Sequence, residues 1–437
     1  MRLQHLPLWW GALPGMLVLF LPTGCRQPET PRPPAEPVTV TLATGRAPTT
    51  AIDPHTGTVY VAWLKQASEN ADVYLTRQAP DGRPLGEPVR VNHLEGDATI
   101  HAQAPAQVAL GPEGHVYVAW TNHVPAGGRR FPASNLRFAR STDGGRTFEP
   151  ALSVNSDAGD RPSSHTFHDL AVGPDGTVYI AWLDGRARDA MRAETATTNR
   201  SGVPAPGTHG SHDPGRHDHA VLPGIELRVA VSRDGGRSFE ETAVVAADTC
   251  PCCRTALAVA EEGTVYLAWR HIFPGGERDI ALARSTDGGR TFTEPVRVHA
   301  DRWRIDGCPH AGPSLALDHA GRLHVAWYTG VETRAGLYYA LSADGGRTFT
   351  PPVPLATGVG VSQVKLGGHG QEHVWLAWED RHTGQLRLAR TDGRGDLVHA
   401  GAPLPSGEHP AIATGASTVA LAGQTRDEAF LYLLPAM

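Results

Sequence analysis

Three of the chain's five cysteines lie within four residues, in the segment Cys250-Pro251-Cys252-Cys253. Thiolates and imidazoles are the side chains that bind zinc and copper, and sulfur ligands favour monovalent copper. A fourth cysteine is followed two residues later by a histidine, so the sequence predicts a metal site built from two segments. The candidate ligands are Cys250, Cys252, Cys253, Cys308 and His310, with His165 and His168 as further candidates.

Disulfide bonds are the alternative use of these four cysteines, because disulfides persist in exported proteins. The neighbouring residues Cys252 and Cys253 cannot pair easily without strain, so a bridge from one of them to Cys308 is favoured. The two halves of the cluster lie roughly 55 residues apart, which is not the spacing of a known zinc signature. A metal site, two disulfides, or one disulfide beside a metal site all remain open at this point.

The first 37 residues carry features of export rather than of a folded domain. Arg2 precedes a largely apolar run from Leu6 to Leu21, which is typical of a secretory signal peptide over residues 1–24. Gly24-Cys25 resembles the lipobox of bacterial lipoproteins, which implies that Cys25 is lipidated. Residues 25–37 then form a proline-rich tether. We expect an exported monomer that is anchored to a membrane, in the periplasm or on the cell surface.

A strand-like pentapeptide recurs along the rest of the chain, preceded each time by a short apolar strand and a turn rich in glycine. Copies at spacings of roughly 50 to 60 residues indicate an array of units that bury their faces on each other. The copies are VYVAW at 59–63 and 116–120, VYIAW at 178–182, VYLAW at 265–269, LHVAW at 323–327 and VWLAW at 374–378, with a weaker TVALAG at 418–423.

A second signature follows four of these strands, with the pattern Ser-x-Asp-Gly-Gly-Arg-Thr/Ser-Phe. It resembles the Asp-box, or BNR, repeat of the sialidase-like β-propellers. In such a turn the carboxylate can accept backbone N–H groups and the glycines supply positive φ, so we interpret the aspartates as structural rather than catalytic. They are Asp143, Asp234, Asp287 and Asp344.

The repeats predict an all-β fold, a β-propeller of four-stranded blades. Six units run from about Thr49 to Pro405, and the C-terminus supplies three further strands. The segment 37–42 resembles a fourth strand and would close the last blade, which removes the exposed sheet edge. We therefore predict seven blades, with six as the fallback, in one domain over residues 38–437 with a His-rich insertion at about 183–224.

The topology of such a blade decides which loops share a face. The loops between blades and the loops between second and third strands lie on one side, and the Asp-box turns lie on the other. The cysteines and many histidines are therefore expected on one rim of the central channel. The length of the insertion favours a lid or a binding loop on this rim.

Three functions fit this arrangement. The first is binding of a ligand, in its sharper form a copper or zinc ion, at the Cys/His-lined rim. The second is an exo-sialidase-like glycoside hydrolase, and the third is a non-catalytic propeller that displays its rim to a glycan or a protein. The net charge of −6 provides no basic surface, so a nucleic-acid partner is disfavoured.

The resemblance to sialidases implies three arginines for a substrate carboxylate and a tyrosine nucleophile paired with a carboxylate. The segment Gly45-Arg46-Ala47-Pro48 keeps the Arg and Pro of the family's first arginine motif but lacks its aromatic residue and isoleucine. The remaining candidates are placed by their expected face alone. They are Arg270 and Arg381, Tyr328 or Tyr338 as nucleophile, and Glu379 or Glu332 as its partner.

Overall fold

The structure is a computed structural model that describes residues 36–42, 44–126, 132–160, 162–200, 224–368, 371–392, 394–399, 404–426 and 428–436. The predicted signal peptide, Cys25 and most of the tether lie outside these residues, as does the stretch 201–223 of the insertion. No helix within the described ranges has the length and apolar character needed to span a bilayer.

The described residues form seven four-stranded antiparallel sheets arranged as blades. Blades one to three consist of β2 Arg46–Ile52, β3 Val59–Ala67, β4 Asn70–Gln78, β5 Val89–Arg90; β6 Gln107–Leu110, β7 Val116–Val124, β8 Ala133–Ser141, β9 Leu152–Ser153; and β10 His165–Val172, β11 Val178–Asp184, β12 Glu226–Ser232, β13 Glu240–Ala246. Blades four and five consist of β14 Ala256–Val259, β15 Val265–Phe273, β16 Glu277–Ser285, β17 Val296–Arg297; and β18 Ser314–Leu317, β19 Leu323–Thr329, β20 Gly336–Ser342, β21 Val353–Thr357. Blades six and seven consist of β22 Val361–Gly367, β23 Trp375–Asp380, β24 Gln385–Thr391, β25 Leu397–His399; and β26 Glu408–Thr414, β27 Thr418–Gln424, β28 Ala429–Pro435 with β1 Val38–Thr41.

The prediction of seven blades closed by an N-terminal strand is confirmed. Strand β1 pairs antiparallel with β28, with Val38 opposite Leu433, so the first strand of the chain completes the last blade. The sheet order β1-β28-β27-β26 places β1 on the outside, where it covers the edge that β28 would otherwise expose.

The core consists of seven apolar layers, each between two neighbouring blades, and the last layer joins blade seven to blade one. Both faces of a blade are therefore covered. This explains why the repeated pentapeptide is apolar throughout rather than alternating, and why all seven residues of β11 are buried. Its tryptophans fill the layers, and the most fully buried are Trp120, Trp182, Trp269 and Trp327.

The Asp-box turns have the structural role expected from the sequence. In the turn after β8, Asp143 Oδ1 accepts the backbone N–H groups of Arg146 and Thr147, both at 2.9 Å. The Ser141 hydroxyl donates to Asp143 Oδ1 at 2.7 Å, and the Thr147 hydroxyl donates to Oδ2 at 2.7 Å. The same contacts recur at Asp234, Asp287 and Asp344.

The insertion of blade three begins with a helix that the sequence reasoning did not anticipate. Helix α1 spans Arg186–Arg200, directly after β11. Its sequence is rich in Ala and Arg, which favour helix, whereas the glycines, prolines and histidines that suggested a loop come later in the insertion. Short 3-10 helices occur at Pro112–Gly114 and Glu332–Arg334.

Candidate metal centre and adjoining cavity

A polar cavity of about 630 Å³ opens at one mouth of the central channel. Its walls come from the loops between blades and from the loops after β19 and β23, which confirms that these two kinds of loop share a face. The polar residues that line it are His101, Gln103, Cys308, His310, Tyr328, Ser362, Gln363, Arg381 and His409.

The cysteines of the loop before β14 form a compact, buried cluster in one wall. The Sγ atom of Cys250 lies 4.0 Å from that of Cys252 and 3.7 Å from that of Cys253. All three side chains pack in the apolar layer between blades three and four. Cys250 and Cys253 have the two-residue separation of a C-x-x-C pair, which the sequence reasoning did not use.

The second predicted half of the cluster lies next to the first. The ligand atoms of Cys252, Cys308 and His310 all lie within 4.8 Å of one another, as do those of Cys250, Cys252 and Cys253. Cys252 belongs to both groups. Cys308 and His310 are exposed and line the cavity, so the cluster extends from the core to the cavity surface.

Two buried arginines place positive charge beside the sulfurs. Arg278 donates a hydrogen bond from Nη1 to Cys250 Sγ at 3.8 Å. Burial raises the pKa of Cys253, but hydrogen bonds from the other two buried thiols and the charge of Arg270 outweigh it, so the pKa is lowered. A hydrogen bond from Cys252, together with the charge of His310, lowers the pKa of the Cys308 thiol to about 6.

His165 and His168 lie in β10 and do not join the cysteines: neither belongs to a described group of ligand atoms within 4.8 Å. His165 Nδ1 lies 2.5 Å from the Ser134 carbonyl oxygen, and its Nε2 lies 3.1 Å from Asp157. His168 Nε2 lies 3.1 Å from the Ala119 carbonyl oxygen. Both rings tie β10 to blade two, and burial lowers the pKa of His168 to about 4, so it is neutral.

A bulge and a glycine bring the loops of blades four, five and six together. Gln363 has a left-handed φ of 56° at a bulge in β22, and its Nε2 donates to the His310 carbonyl oxygen at 3.0 Å. Its Oε1 accepts a short hydrogen bond from Arg254. A Cβ atom at Gly312 would lie 2.1 Å from the Arg254 carbonyl oxygen, so only glycine permits this approach.

The sialidase candidates are dispersed. Tyr328 and Arg381 line the cavity, and Arg381 donates from Nε and Nη2 to Oε1 of the buried Glu379 at 2.8 and 2.7 Å. Arg270 donates to the carbonyl oxygens of residues 278, 311 and 328, and Arg46 donates to that of residue 425. The described residues therefore bring one of the three proposed arginines to the cavity.

Below the cavity the channel narrows to a space of about 20 Å³, which we call the throat. It is lined by Arg254 and Lys365 and shares Gln363 and His409 with the cavity. Lys365 is one of only two lysines in the sequence. Burial, together with the charge of Arg254, lowers the pKa of Lys365 to about 7, and Asp169 opposes this change. The sequence reasoning missed Lys365, although its rarity was a usable signal.

Solved structures of low sequence identity share this fold. The PL25 ulvan lyase bound to -[GlcA(1-4)Rha3S]- matches with a TM-score of 0.54 at 13% identity, over 91% of this chain and 96% of its own. A protein of unknown function from Dyadobacter fermentans DSM 18053 matches with a TM-score of 0.50 at 14% identity, over 92% and 99%. The Hadza microbial sialidase Hz136 matches with a TM-score of 0.48 at 14% identity, over 86% and 75%.

No family model matches the sequence, and no curated protein is similar to it. The matches with TM-scores of 0.50 and 0.54 show that the propeller fold is shared, and at these identities they show the fold alone.

Proposed function

We propose that this protein binds a zinc or copper(I) ion through the cysteine cluster beside the cavity. The spacing of the sulfur atoms is the observation that carries the proposal. A metal bound to sulfur at about 2.3 Å in a tetrahedron has ligands about 3.8 Å apart. The two Sγ–Sγ distances from Cys250, 3.7 and 4.0 Å, bracket this value.

The same distances argue against disulfides as the resting state. A disulfide holds its sulfurs at about 2.05 Å, roughly half the separations found here. All four described cysteines are free. Three neutral thiols buried together would gain little from one another, whereas a cation bound between them would use every sulfur.

The surroundings suit thiolate ligands. A soft cation with several thiolates carries net negative charge, and buried negative charge needs compensation. Arg270 and Arg278 supply two positive charges at the inner side of the cluster. Cys308 and His310 stand on the cavity side, where they can capture an ion from solvent and deliver it to the buried sulfurs.

Metal analysis of protein purified without a histidine tag tests this proposal, in parallel with a free-thiol count. We expect about one equivalent of zinc or copper per chain. Cys252→Ser should reduce the metal content at least tenfold, because Cys252 belongs to both ligand groups. His310→Ala, a change at an exposed position, should weaken retention against a chelator while leaving the fold intact.

His123→Ala is the matched control, since His123 is an exposed histidine on the same face but outside both ligand groups. Its metal content should equal that of the wild type. Wild-type protein that holds no stoichiometric metal and has no reactive thiols would contradict the proposal and support disulfides instead.

We also propose that the propeller is exported and held to a membrane as a monomer through lipidated Cys25. The lipobox-like Gly24-Cys25 and the proline-rich tether support this. Metabolic labelling with an alkyne fatty acid should mark the wild-type protein but not Cys25→Ser. Equal labelling of both would refute the anchor.

A second candidate function is binding or cleavage of an acidic glycan in the cavity. The polar cavity wall, which Tyr328 and Arg381 line together with three histidines, favours it, and the fold is shared with a polysaccharide lyase. Incubation with a panel of uronate-containing polysaccharides, monitored by release of reducing ends, tests this. Activity should be lost in Arg381→Ala and retained in His123→Ala. An aryl sialoside should not be hydrolysed, because Arg46 and Arg270 donate to backbone carbonyls instead of lining the cavity.

A further inference from the structure

Two cationic side chains in the throat lack ionic partners. Arg254 is only 5% exposed, and its Nε–H is a buried donor without an acceptor in the described part of the chain. Its remaining donors bond neutral acceptors, namely Gln363, Gln103 at 3.4 Å and the Val364 carbonyl oxygen at 3.1 Å. The ammonium of Lys365 has no hydrogen-bond acceptor among the residues that the structure describes.

The carboxylates nearby do not neutralise this pair. Arg254 is influenced by the neighbouring Cys253 and by Asp169, and Lys365 is influenced by Asp169 alone of these two, but Asp169 Oδ2 accepts the Leu257 backbone N–H at 2.8 Å. Glu379 is bound to Arg381. Within the described ranges no carboxylate oxygen lies within 4.0 Å of a nitrogen of Arg254 or Lys365. Arg254 is buried and Lys365 is half-buried. Cations withdrawn from water without an ionic partner are costly, and such a pair is stabilised by a bound anion.

The size of the throat limits what can bind there. A space of about 20 Å³ holds one water-sized group, since about 10–15 Å³ is enough for one water. The throat shares Ala102, Gln363 and His409 with the large cavity, so a group can reach it from that side.

We propose that the throat is an anion site that takes one negatively charged atom between Arg254 and Lys365. A free halide ion fits this description, and so does one oxygen of a carboxylate whose carrier molecule occupies the cavity. The site is lined by residues of blades one, two, four, six and seven, and none of the cysteines lines it. It is therefore independent of the metal proposal, and it stands whether or not the cavity cleaves a glycan.

Isothermal titration calorimetry on the full chain tests the site, with sodium glucuronate, glucose and sodium chloride as probes. The background electrolyte is a bulky sulfonate buffer whose anion cannot enter the throat. We expect glucuronate or chloride to bind and glucose not to bind. Lys365→Met should weaken anion binding at least tenfold, as expected when a charged hydrogen bond is lost.

Lys65→Met is the matched control, because Lys65 is the other lysine and is exposed. It should bind the anion like the wild type. Lys365→Met should keep the wild-type metal content, which separates failure of this inference from failure of the metal proposal.

The rarity of lysine allows a second measurement on the wild-type protein, which does not depend on the variant folding. Reductive methylation with ¹³C-formaldehyde labels Lys65, Lys365 and any free α-amino group. The Lys365→Met spectrum assigns the resonance of Lys365, and added anion should shift that resonance alone.

Competition distinguishes the two sources of the anion. If chloride binds to the protein, or displaces glucuronate from it, the throat is a site for a free anion. Glucuronate binding that chloride leaves unchanged assigns it to the carboxylate of a larger ligand. Either result supports the site. Absence of binding by both anions, or equal binding by wild type and Lys365→Met, would overturn it.

Discussion

The hydrogen bonds on the two faces of the propeller join residues at very different separations along the sequence. On the Asp-box face, the hydrogen bonds of Asp143 connect residues at most four positions apart. On the cavity face, Arg254 bonds Gln363 across 109 positions, and Arg46 bonds Thr425 across 379. Each Asp-box turn is closed by bonds within its own hairpin and is linked to the neighbouring blade by an arginine, as in the bond from Arg140 to the Gly235 carbonyl oxygen. The cavity face, in contrast, depends on bonds between residues that are far apart in the chain.

This difference explains why the functional residues can vary on the cavity face. Repeated local turns keep the blades in register, so the opposite loops are free to differ from blade to blade. The cavity face uses that freedom: blade four supplies three cysteines, blade five supplies Cys308 and His310, and blade six supplies Gln363 and Lys365.

The largest effect should come from breaking the cavity face at Gly312. Gly312→Ala places a Cβ atom 2.1 Å from the Arg254 carbonyl oxygen, so the loops of blades four and five must separate. We expect a loss of more than about 3 kcal/mol of unfolding free energy in urea, together with loss of metal. Gly185→Ala is a milder control, because its Cβ would lie 3.3 Å from the nearest atoms. Equal stability of both variants would show that the loops can separate at no cost.

The Asp-box face should show a smaller, purely local effect. Asp143→Ala removes the acceptor of four hydrogen bonds and should cost about 2 kcal/mol in the same unfolding experiment. Asp81→Ala, in the turn after β4, should cost less, because among the described residues the Asp81 carboxylate accepts one hydrogen bond, from the Arg83 N–H. Metal content should be unchanged in both. Loss of metal in Asp143→Ala would contradict the independence of the two faces.

The two faces should also differ in the pH dependence of their stability. The pKa of His168 is about 4 in the folded protein and about 6.5 when unfolded, so the unfolded chain binds the proton first as pH falls. Unfolding free energy should therefore fall by about 1 kcal/mol per pH unit between about pH 6.5 and 4. His168→Gln should flatten that slope in urea titrations. An unchanged slope would show that His168 has the same pKa in the folded and the unfolded chain.

On the Asp-box face, the pH range over which the unfolding free energy changes lies lower than it does for His168. Burial raises the pKa of Asp234, but hydrogen bonds from Ser238 and Ser232 outweigh it and lower the value to about 2. Its contribution is present above the ordinary carboxylate pKa of 3.8 and is lost as pH falls from there towards 2. Asp234→Asn should change the slope of stability only below about pH 4.

The fold was accessible from the sequence because its determinants are local and repeated. The pentapeptide, the Asp-box and the glycine turns each specify one hairpin, and their number gives the blades. The strand at Val38–Thr41 was recognisable as the missing fourth strand of blade seven. The helix at Arg186–Arg200 was missed because the composition of the later insertion dominated the interpretation of the whole segment.

The site was accessible only in part. Which loops share a face follows from topology, and this brought Cys250, Cys252, Cys253, Cys308 and His310 together correctly. Which direction a side chain takes within its loop depends on bulges and on distant partners. The side chains of His168 and Arg270 bond backbone carbonyl oxygens, whereas those of Gln363 and Lys365 line the throat. No pattern in the sequence distinguishes these two outcomes.

The closure of blade seven has a consequence for how the protein is made. Strand β1 precedes all the other described strands in the chain, and its partner in the sheet, β28, is the last of them. During synthesis β1 therefore stays unpaired until β28 has been made. A prematurely terminated chain therefore cannot close its ring and keeps an open strand edge, which marks it for aggregation or proteolysis.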